Sequence, residues 1–450
     1  MKRKIYSELL KWKSESAGRT ALLIDGARRV GKSYIVEEFA KAEYESYILM
    51  DFNRVGTDVL ELISNHLNDL DTLFMYLSEY FSAKLIERES LIIFDEVQLF
   101  PRARAAIKYL VADGRFDYIE TGSIVSIKKN VKDIVIPSEE RRMKMYPMDF
   151  EEFLWAVGND TLIPMINKHF TEMKPLGQVM HRKTMDLFRQ YLIIGGMPQA
   201  VAEYANSRDF NKVDQVKRDI LALYREDISK YANGYELKTA SIFDELPAQL
   251  SKHEKKFNLS SIKKEARFRN YEDALFWLDD ARIINTCYNS TEPSVGLKLN
   301  MDRLTLKCYL SDTGLLISHA FDEKGIVTEE IYKKLLFDKL EVNKGMLIEN
   351  IVAQMLVASG HKLYFYSCSS RNDSSSRMEI DFLIAKSKIS SRHNIAPIEV
   401  KSSKNYTLSS IRKFRNKYSS QLHTPFVLHT SDLRIDDGIV YLPVYMTPFL

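Results

Sequence analysis

Cysteine is scarce. Cys287, Cys308 and Cys368 are the only three in 450 residues, and none stands in a CxxC or Cys/His spacing. This excludes a disulfide framework, argues against a cysteine-built metal site and fits a reducing cytoplasm. Apolar runs of membrane-spanning length are also missing, so no membrane partner is expected. Lys2, Arg3 and Lys4 are followed by Glu8, Lys11, Lys13 and Glu15 instead of an apolar core, so no secretory leader is expected either. Proline (12) and glycine (17) are too few for long linkers or extensive disorder. No internal repeat of the solenoid kind is present. Net charge is only +3, so any attraction for polyanions rests on local clusters. What is present, 45% hydrophobic residues and 11% aromatics, is an ordinary packed composition. The length suggests about three domains.

Chemistry first shows at residues 22–33. The apolar run Leu22-Leu23-Ile24 leads into Gly26-x-x-x-x-Gly31-Lys32-Ser33, and a helical pattern follows from Tyr34. Strand, loop and helix in that order are the context a phosphate-binding loop requires. Gly26 and Gly31 permit turns that a side chain would obstruct. The amides of Gly26, Ala27, Arg28, Arg29, Val30 and Gly31 can then converge on phosphates at the positive end of the helix. Lys32 is placed to reach the β- and γ-phosphates, and the Ser33 hydroxyl to ligate Mg²⁺. The expected ligands are ATP and Mg²⁺.

The other half of such a site lies at Leu91-Ile92-Ile93-Phe94-Asp95-Glu96. Four consecutive apolar residues suit a strand buried on both faces of a parallel sheet. The two carboxylates follow at its C-terminal end, the edge where open α/β sheets bind ligands. Asp95 is expected to hold Mg²⁺, and Glu96 to act as general base on water. A strand ending in two solvated acids is the plain alternative. Further strands at 21–25, 47–51 and 118–123 alternate with helices at 60–85 and 105–112, which predicts a parallel, doubly wound sheet. Residues 1–18 read as an amphipathic helix. Residues 141–154 read as a fifth strand turning through Pro147 into a helix that begins near Asp149.

These motifs, with the Thr121-Gly122-Ser123 turn and Tyr146-Pro147-Met148-x-Phe150-x-Glu152-Phe153, resemble one family of bacterial and archaeal AAA-type ATPases. The stretch Tyr191-Leu192-Ile193-Ile194-Gly195-Gly196-Met197-Pro198 resembles its second signature, and the likeness covers nearly the whole chain. The resemblance implies an ATPase fused to a C-terminal region of unknown function. It implies a polar residue near the γ-phosphate on the strand beside the Asp-Glu strand. Thr121 and Ser123 are the candidates, with a cap or turn as the plain alternative. Relatives often assemble so that one subunit's arginine completes the next one's site, which makes further copies of the chain expected partners. Arg141, Arg142 and Arg225 are candidates for that role, and a surface salt bridge is the plain alternative for each.

The pattern from 164 to 240 is helical, and 216–231 reads as a lid-like or connecting helix. Residues 243–309 resemble a winged helix-turn-helix. Its helices are expected over 242–250, from Ser260 or Ser261, and from Tyr271, with wing strands at 283–286 and 305–309. Lys252, Lys255, Lys256, Lys263, Lys264, Arg267 and Arg269 form either a face for DNA phosphates or a merely solvated one.

The last third carries a second constellation. Glu349 lies on a predicted helix opening at Gly345, and Asp381 within a predicted strand. Glu399 and Lys401 lie two apart on the next strand, hence on one face. Helix Glu, strand Asp, then Glu-x-Lys resembles the PD-(D/E)XK nuclease fold. That resemblance implies Glu349, Asp381 and Glu399 as metal ligands and Lys401 as the group that positions or activates water. The plain alternative keeps these charges for structure, or for binding without cleavage. Residues 383–420 contain nine Lys or Arg against the single acid Glu399, a skew that suits a polyanion. The polar loop at 369–376 could flank the site.

The resulting expectation is an α/β protein in four parts. An AAA-type ATPase domain with a P-loop NTPase parallel sheet spans 1–157, and a helical connector 158–240. A winged-helix-like domain spans 241–335, and a restriction-endonuclease-like α/β domain 336–450. Glu96, Lys32 and Lys401 are the expected catalytic residues. The favoured activity is ATP hydrolysis driving a switch or motor on DNA or RNA. The alternative is an ATP-gated switch that assembles with a protein partner and leaves the nuclease-like site idle.

Overall fold

The computed structural model describes residues 1–122, 138–232, 234–252, 256–321, 329–336, 339, 344–368, 377–386, 394–403 and 405–450. Ser123, Lys255 and the 369–376 loop lie outside the described residues. The chain forms two compact units, Met1–Tyr146 and Pro147–Leu450. Among the described residues no helix is long and apolar enough to cross a membrane.

The first unit runs α1 (Ile5–Ser16), β1 (Ala21–Gly26), α2 (Lys32–Glu43), β2 (Ser46–Asp51), α3 (Thr57–His66), α4 (Leu70–Tyr80), β3 (Ser90–Asp95), α5 (Pro101–Asp113), β4 (Asp117–Gly122) and β5 (Glu140–Met145). All five strands are parallel, in the order β2-β3-β4-β1-β5. β1, β3 and β4 are buried along their whole length, because helices cover both faces. Leu9 and Trp12 of α1 pack with Leu22, Ile24 and Phe39 on one side. Ile107 and Leu110 of α5 pack with Ile92, Phe94 and Tyr118 on the other. The single helical region expected at 60–85 is two helices. Asp69 accepts the Thr72 N–H and starts a new helix there. β4 lies between β1 and β3, so Thr121 at its end stands between the P-loop strand and the Asp95 strand.

One charged cluster lies inside this unit. Arg104 Nη2 is 2.8 Å from Glu140 Oε2, and both side chains are 1% exposed. Burial pushes the Glu120 carboxyl well above its ordinary range, and the nearby charge of Glu140 pushes the same way. A carboxyl whose folded pKa is raised holds its proton in the fold, so stability is lost as pH climbs from the unfolded value of about 4.3 towards the folded one. Glu120→Gln mimics the protonated acid. It should match wild type near about pH 4 and unfold at a higher temperature at about pH 8. A variant whose disadvantage grows with pH would contradict this.

The second unit opens with α6 (Phe150–Ala156), α7 (Leu162–Thr171), α8 (Gln178–Ile194), α9 (Pro198–Ser207), α10 (Phe210–Tyr231), α11 (Glu236–Ser251) and α12 (Glu272–Asp280). It continues with β6 (Ile284–Ser290), β7 (Met301–Leu310), α13 (Thr313–Ala320), α14 (Glu329–Leu336), α15 (Lys344–Ala358), β8 (Tyr364–Cys368) and β9 (Met378–Ala385). It ends with β10 (Ile395–Val400), α16 (Ser409–Lys417), β11 (Phe426–His429), β12 (Arg434–Asp436) and β13 (Ile439–Pro443). A mixed sheet of eight strands orders them β12-β13-β11-β10-β9-β8-β6-β7.

The expected wing is the β6–β7 hairpin, and β6 also pairs in parallel with β8. It is therefore the end of the large sheet rather than a free-standing wing. The helix expected from Ser260 or Ser261 is only a three-residue turn, Leu259–Ser261. Gln249 of α11 holds both the N–H and the C=O of Asn258, each at 3.1 Å, which pins the chain back at the point where a helix would have to leave.

The two signature segments meet in this unit. The capping box of Asp149 and Glu152 starts α6 just after Pro147. The Met148 N–H donates to Gly196 O at 2.6 Å, and Tyr191 OH to Met148 O at 2.9 Å. A Cβ on Gly196 would lie 2.1 Å from Met148 O, so only glycine permits this approach. Buried Asp312 accepts the Gly196 and Leu315 N–H groups at 2.5 and 2.9 Å. These motifs form a structural joint of the second unit.

Candidate functional site

The nucleotide-binding candidates gather where β1, β3 and β4 end. Gly26 closes β1, and a Cβ there would lie 2.3 Å from Met145 O. Gly31, with φ 95°, caps α2 and turns the loop into the helix. Lys32 is buried, and its Nζ donates to Gly26 O at 2.9 Å and Ala27 O at 3.1 Å. Its side chain thus lies along the inside of the loop. Burial lowers its pKa, while Glu96, Asp95 and Asp25 act to raise it.

Ser33 Oγ donates to Asp95 Oδ1 at 2.8 Å, and Thr121 Oγ1 donates to the same oxygen. A hydroxyl and a carboxylate oxygen converging in this way are hard oxygen donors and fit Mg²⁺. Glu96 sits in the left-handed region with φ 56°, a conformation costing on the order of 1 kcal/mol for a non-glycine residue. Its N–H points to Thr121 Oγ1 at 3.5 Å, and its carboxylate accepts the Gln98 amide. Thr121 therefore touches both Asp95 and the backbone of Glu96. A displaced hydroxyl at Thr121 would be felt at the Asp95 carboxylate and at the Glu96 backbone.

The candidate arginines each have a partner within their own unit. Arg141 lies 3.4 Å from Glu15, Arg142 3.0 Å from Glu140, and Arg225 3.4 Å from Asp244. Of the middle-region basic residues, Lys252, Lys263, Lys264, Arg267 and Arg269 are exposed and Lys256 is half-buried.

In the second unit, Glu349 lies on α15 and Asp381 on β9. Both turn towards Lys307 of β7, a lysine whose side chain is 1% exposed. Its Nζ lies 2.8 Å from Glu379 Oε1, 3.4 Å from Glu349 Oε1 and 3.8 Å from Asp381 Oδ1. Burial alone would drive this ammonium towards neutrality. Glu349, Glu379 and Asp381 outweigh it and hold the pKa above the ordinary lysine value.

Tyr309 OH donates to Glu349 Oε1 at 2.5 Å, and the Val400 N–H to Asp381 Oδ2 at 2.8 Å. Glu399 is buried and paired with Lys401 Nζ at 2.7 Å. Burial raises its pKa, and Lys401 counters. Glu349 and Asp381 thus share the Lys307 ammonium, while Glu399 pairs with Lys401. Among the described residues no group of three or more His, Cys, Asp or Glu is arranged to hold a metal ion. The expected metal set does not fit a divalent ion in this arrangement, because an ammonium stands between its carboxylates.

Sequence reasoning missed Gln98, Lys307, Glu379 and Tyr309. Gln98 stands two places after Glu96, and Glu379 two places before Asp381, where strand alternation would have put it on the same face. Lys307 sits in Leu306-Lys307-Cys308-Tyr309, a charge inside an apolar strand. That is a signal of a buried partner.

Comparison with known proteins matches three stretches. Residues 18–154 match an AAA domain, 185–324 a domain of unknown function (DUF8612) and 344–446 another (DUF4143). No curated protein matches the chain. A Walker-type ATPase of Pyrococcus abyssi is 16% identical with a TM-score of 0.40, covering 71% of this chain and 95% of its own. The ORC1 protein of Aeropyrum pernix in complex with DNA is 11% identical at a TM-score of 0.28, covering 72% and 93%. AMPPCP-bound DnaA from Aquifex aeolicus is 12% identical at 0.27, covering 63% and 88%. The chain therefore combines an AAA-type P-loop ATPase domain at residues 18–154 with a C-terminal DUF4143 domain at residues 344–446.

Proposed function

We propose that the chain binds ATP with Mg²⁺ and hydrolyses it, using the cycle as a switch or motor on nucleic acid held by its second unit. The observation that carries the ATPase reading is the meeting of Lys32, Ser33, Asp95, Glu96 and Thr121 at one edge of the parallel sheet. Loop amides from Gly26 to Gly31 cradle the phosphates. Lys32 exchanges its two carbonyl partners for β- and γ-phosphate oxygens. Mg²⁺, held by Ser33 and Asp95, supplies charge neutralisation on the phosphates when bound. Glu96 takes the proton of the attacking water, and Gln98 orients its carboxylate. Thr121 couples the γ-phosphate position to Asp95 and Glu96.

The nucleic-acid part rests on the basic C-terminal region. Ile411 and Phe414 bury one face of α16, Arg412 and Lys417 are exposed, and Lys413 and Arg415 are half-buried, with Arg412 and Arg415 beside Asp437. Lys417 Nζ also lies 5.0 Å from the Tyr418 ring, a basic and aromatic pairing suited to phosphates and bases. A second reading, an ATP-gated switch for a protein partner, is favoured by the ammonium of Lys307 among the carboxylates expected to bind metal. ATP turnover with and without duplex DNA separates the two. Stimulation that fades as salt rises supports action on nucleic acid. Turnover indifferent to DNA, with no salt-dependent binding, moves the assignment to the protein partner.

A further inference from the structure

The carboxylates of Glu349, Glu379 and Asp381 come from α15 and β9 and converge on one buried point. A lysine from β7 reaches that point from within the same sheet. Its Nζ contacts run from 2.8 to 3.8 Å. A divalent ion at the same point would need oxygens at about 2.0–2.6 Å. Ammonium and metal cannot share it. The carboxylates are also oriented from outside, Glu349 by Tyr309 OH and Asp381 by the Val400 N–H. Glu399, which would complete a metal set, is instead paired with Lys401.

We propose that Lys307 is a built-in cation that replaces a divalent metal. In this reading the second unit uses these carboxylates and the ammonium to lock β7, β9 and α15 together, and cleaves no phosphodiester there. This role is independent of the ATPase reading, since it involves no residue of the first unit. It also accounts for these carboxylates meeting with no metal-ready group among the described residues.

Mn²⁺ binding to the full chain without nucleotide, followed by electron paramagnetic resonance, tests it. Wild type and Asp381→Asn should show the same weak uptake. Lys307→Ala opens the point and should gain one Mn²⁺ bound at least about tenfold tighter. Lys307→Ala with Asp381→Asn should lose that ion again. A wild-type protein that binds one Mn²⁺, lost in Asp381→Asn, would overturn the proposal. So would a folded Lys307→Ala protein that gains none. If Lys307→Ala does not fold, the comparison of wild type with Asp381→Asn still decides.

Discussion

Lys32→Ala should weaken ATP binding by about 100-fold or more. The ammonium lies along the inside of the loop, bonded there to Gly26 O and Ala27 O. With nucleotide present those donors would turn to phosphate oxygens. A charge-assisted hydrogen bond contributes roughly 1.5–3 kcal/mol, so losing two removes about 3–6 kcal/mol. Each 1.4 kcal/mol is about tenfold in affinity. The fold should survive, since α2 and β1 are held by Leu22, Ile24, Val36 and Phe39 rather than by this lysine. Equilibrium titration with a fluorescent ATP analogue, alongside thermal unfolding, reads both effects. Affinity within about threefold of wild type would contradict the assignment.

Glu96→Gln should separate binding from chemistry. The amide keeps the size of the side chain and removes the base. Turnover should fall by about 10²–10⁴-fold, the range for removing a general base, with affinity for ATP little changed. Gln98→Ala should fall less, because it removes an orienting contact and leaves the carboxylate. Single-turnover measurement of ADP formation ranks the three proteins. Equal rates for Gln98→Ala and Glu96→Gln would mean that Gln98 does more than orient.

The first unit was readable because its chemistry is local. A P-loop needs its residues within one loop and one helix turn, and an apolar strand followed by Asp-Glu declares its place at a sheet edge. Asp69 was overlooked for a simple reason. The apolar pattern of α3 runs into that of α4, and one short side chain decides where the second helix starts.

The second unit was harder because its contacts are long-range. The β6–β7 hairpin looked like a wing, since nothing local shows that β6 pairs with β8 about 80 residues on, Tyr288 opposite Tyr364. The signature around Gly195 and Gly196 takes its meaning from Met148 and Asp312, which lie far from it in the chain and bond Gly196 in the fold. Spacing put Glu349, Asp381 and Glu399 on the right elements. It could not show which way each turns, because a bulge shifts the register between β8 and β9 near Asp381. Nor could it supply the cation, which comes from a strand earlier in the chain.

The proposed activity of the first unit is Mg²⁺-dependent ATP hydrolysis with Glu96 as base. The most direct test is phosphate release from ATP by the purified full chain, wild type against Glu96→Gln, with Mg²⁺ and then with a chelator. Wild type should turn over ATP in Mg²⁺ alone, with turnover lost on chelation and reduced by about 10² or more in Glu96→Gln. Turnover that persists unchanged in Glu96→Gln, or that ignores removal of Mg²⁺, would contradict it.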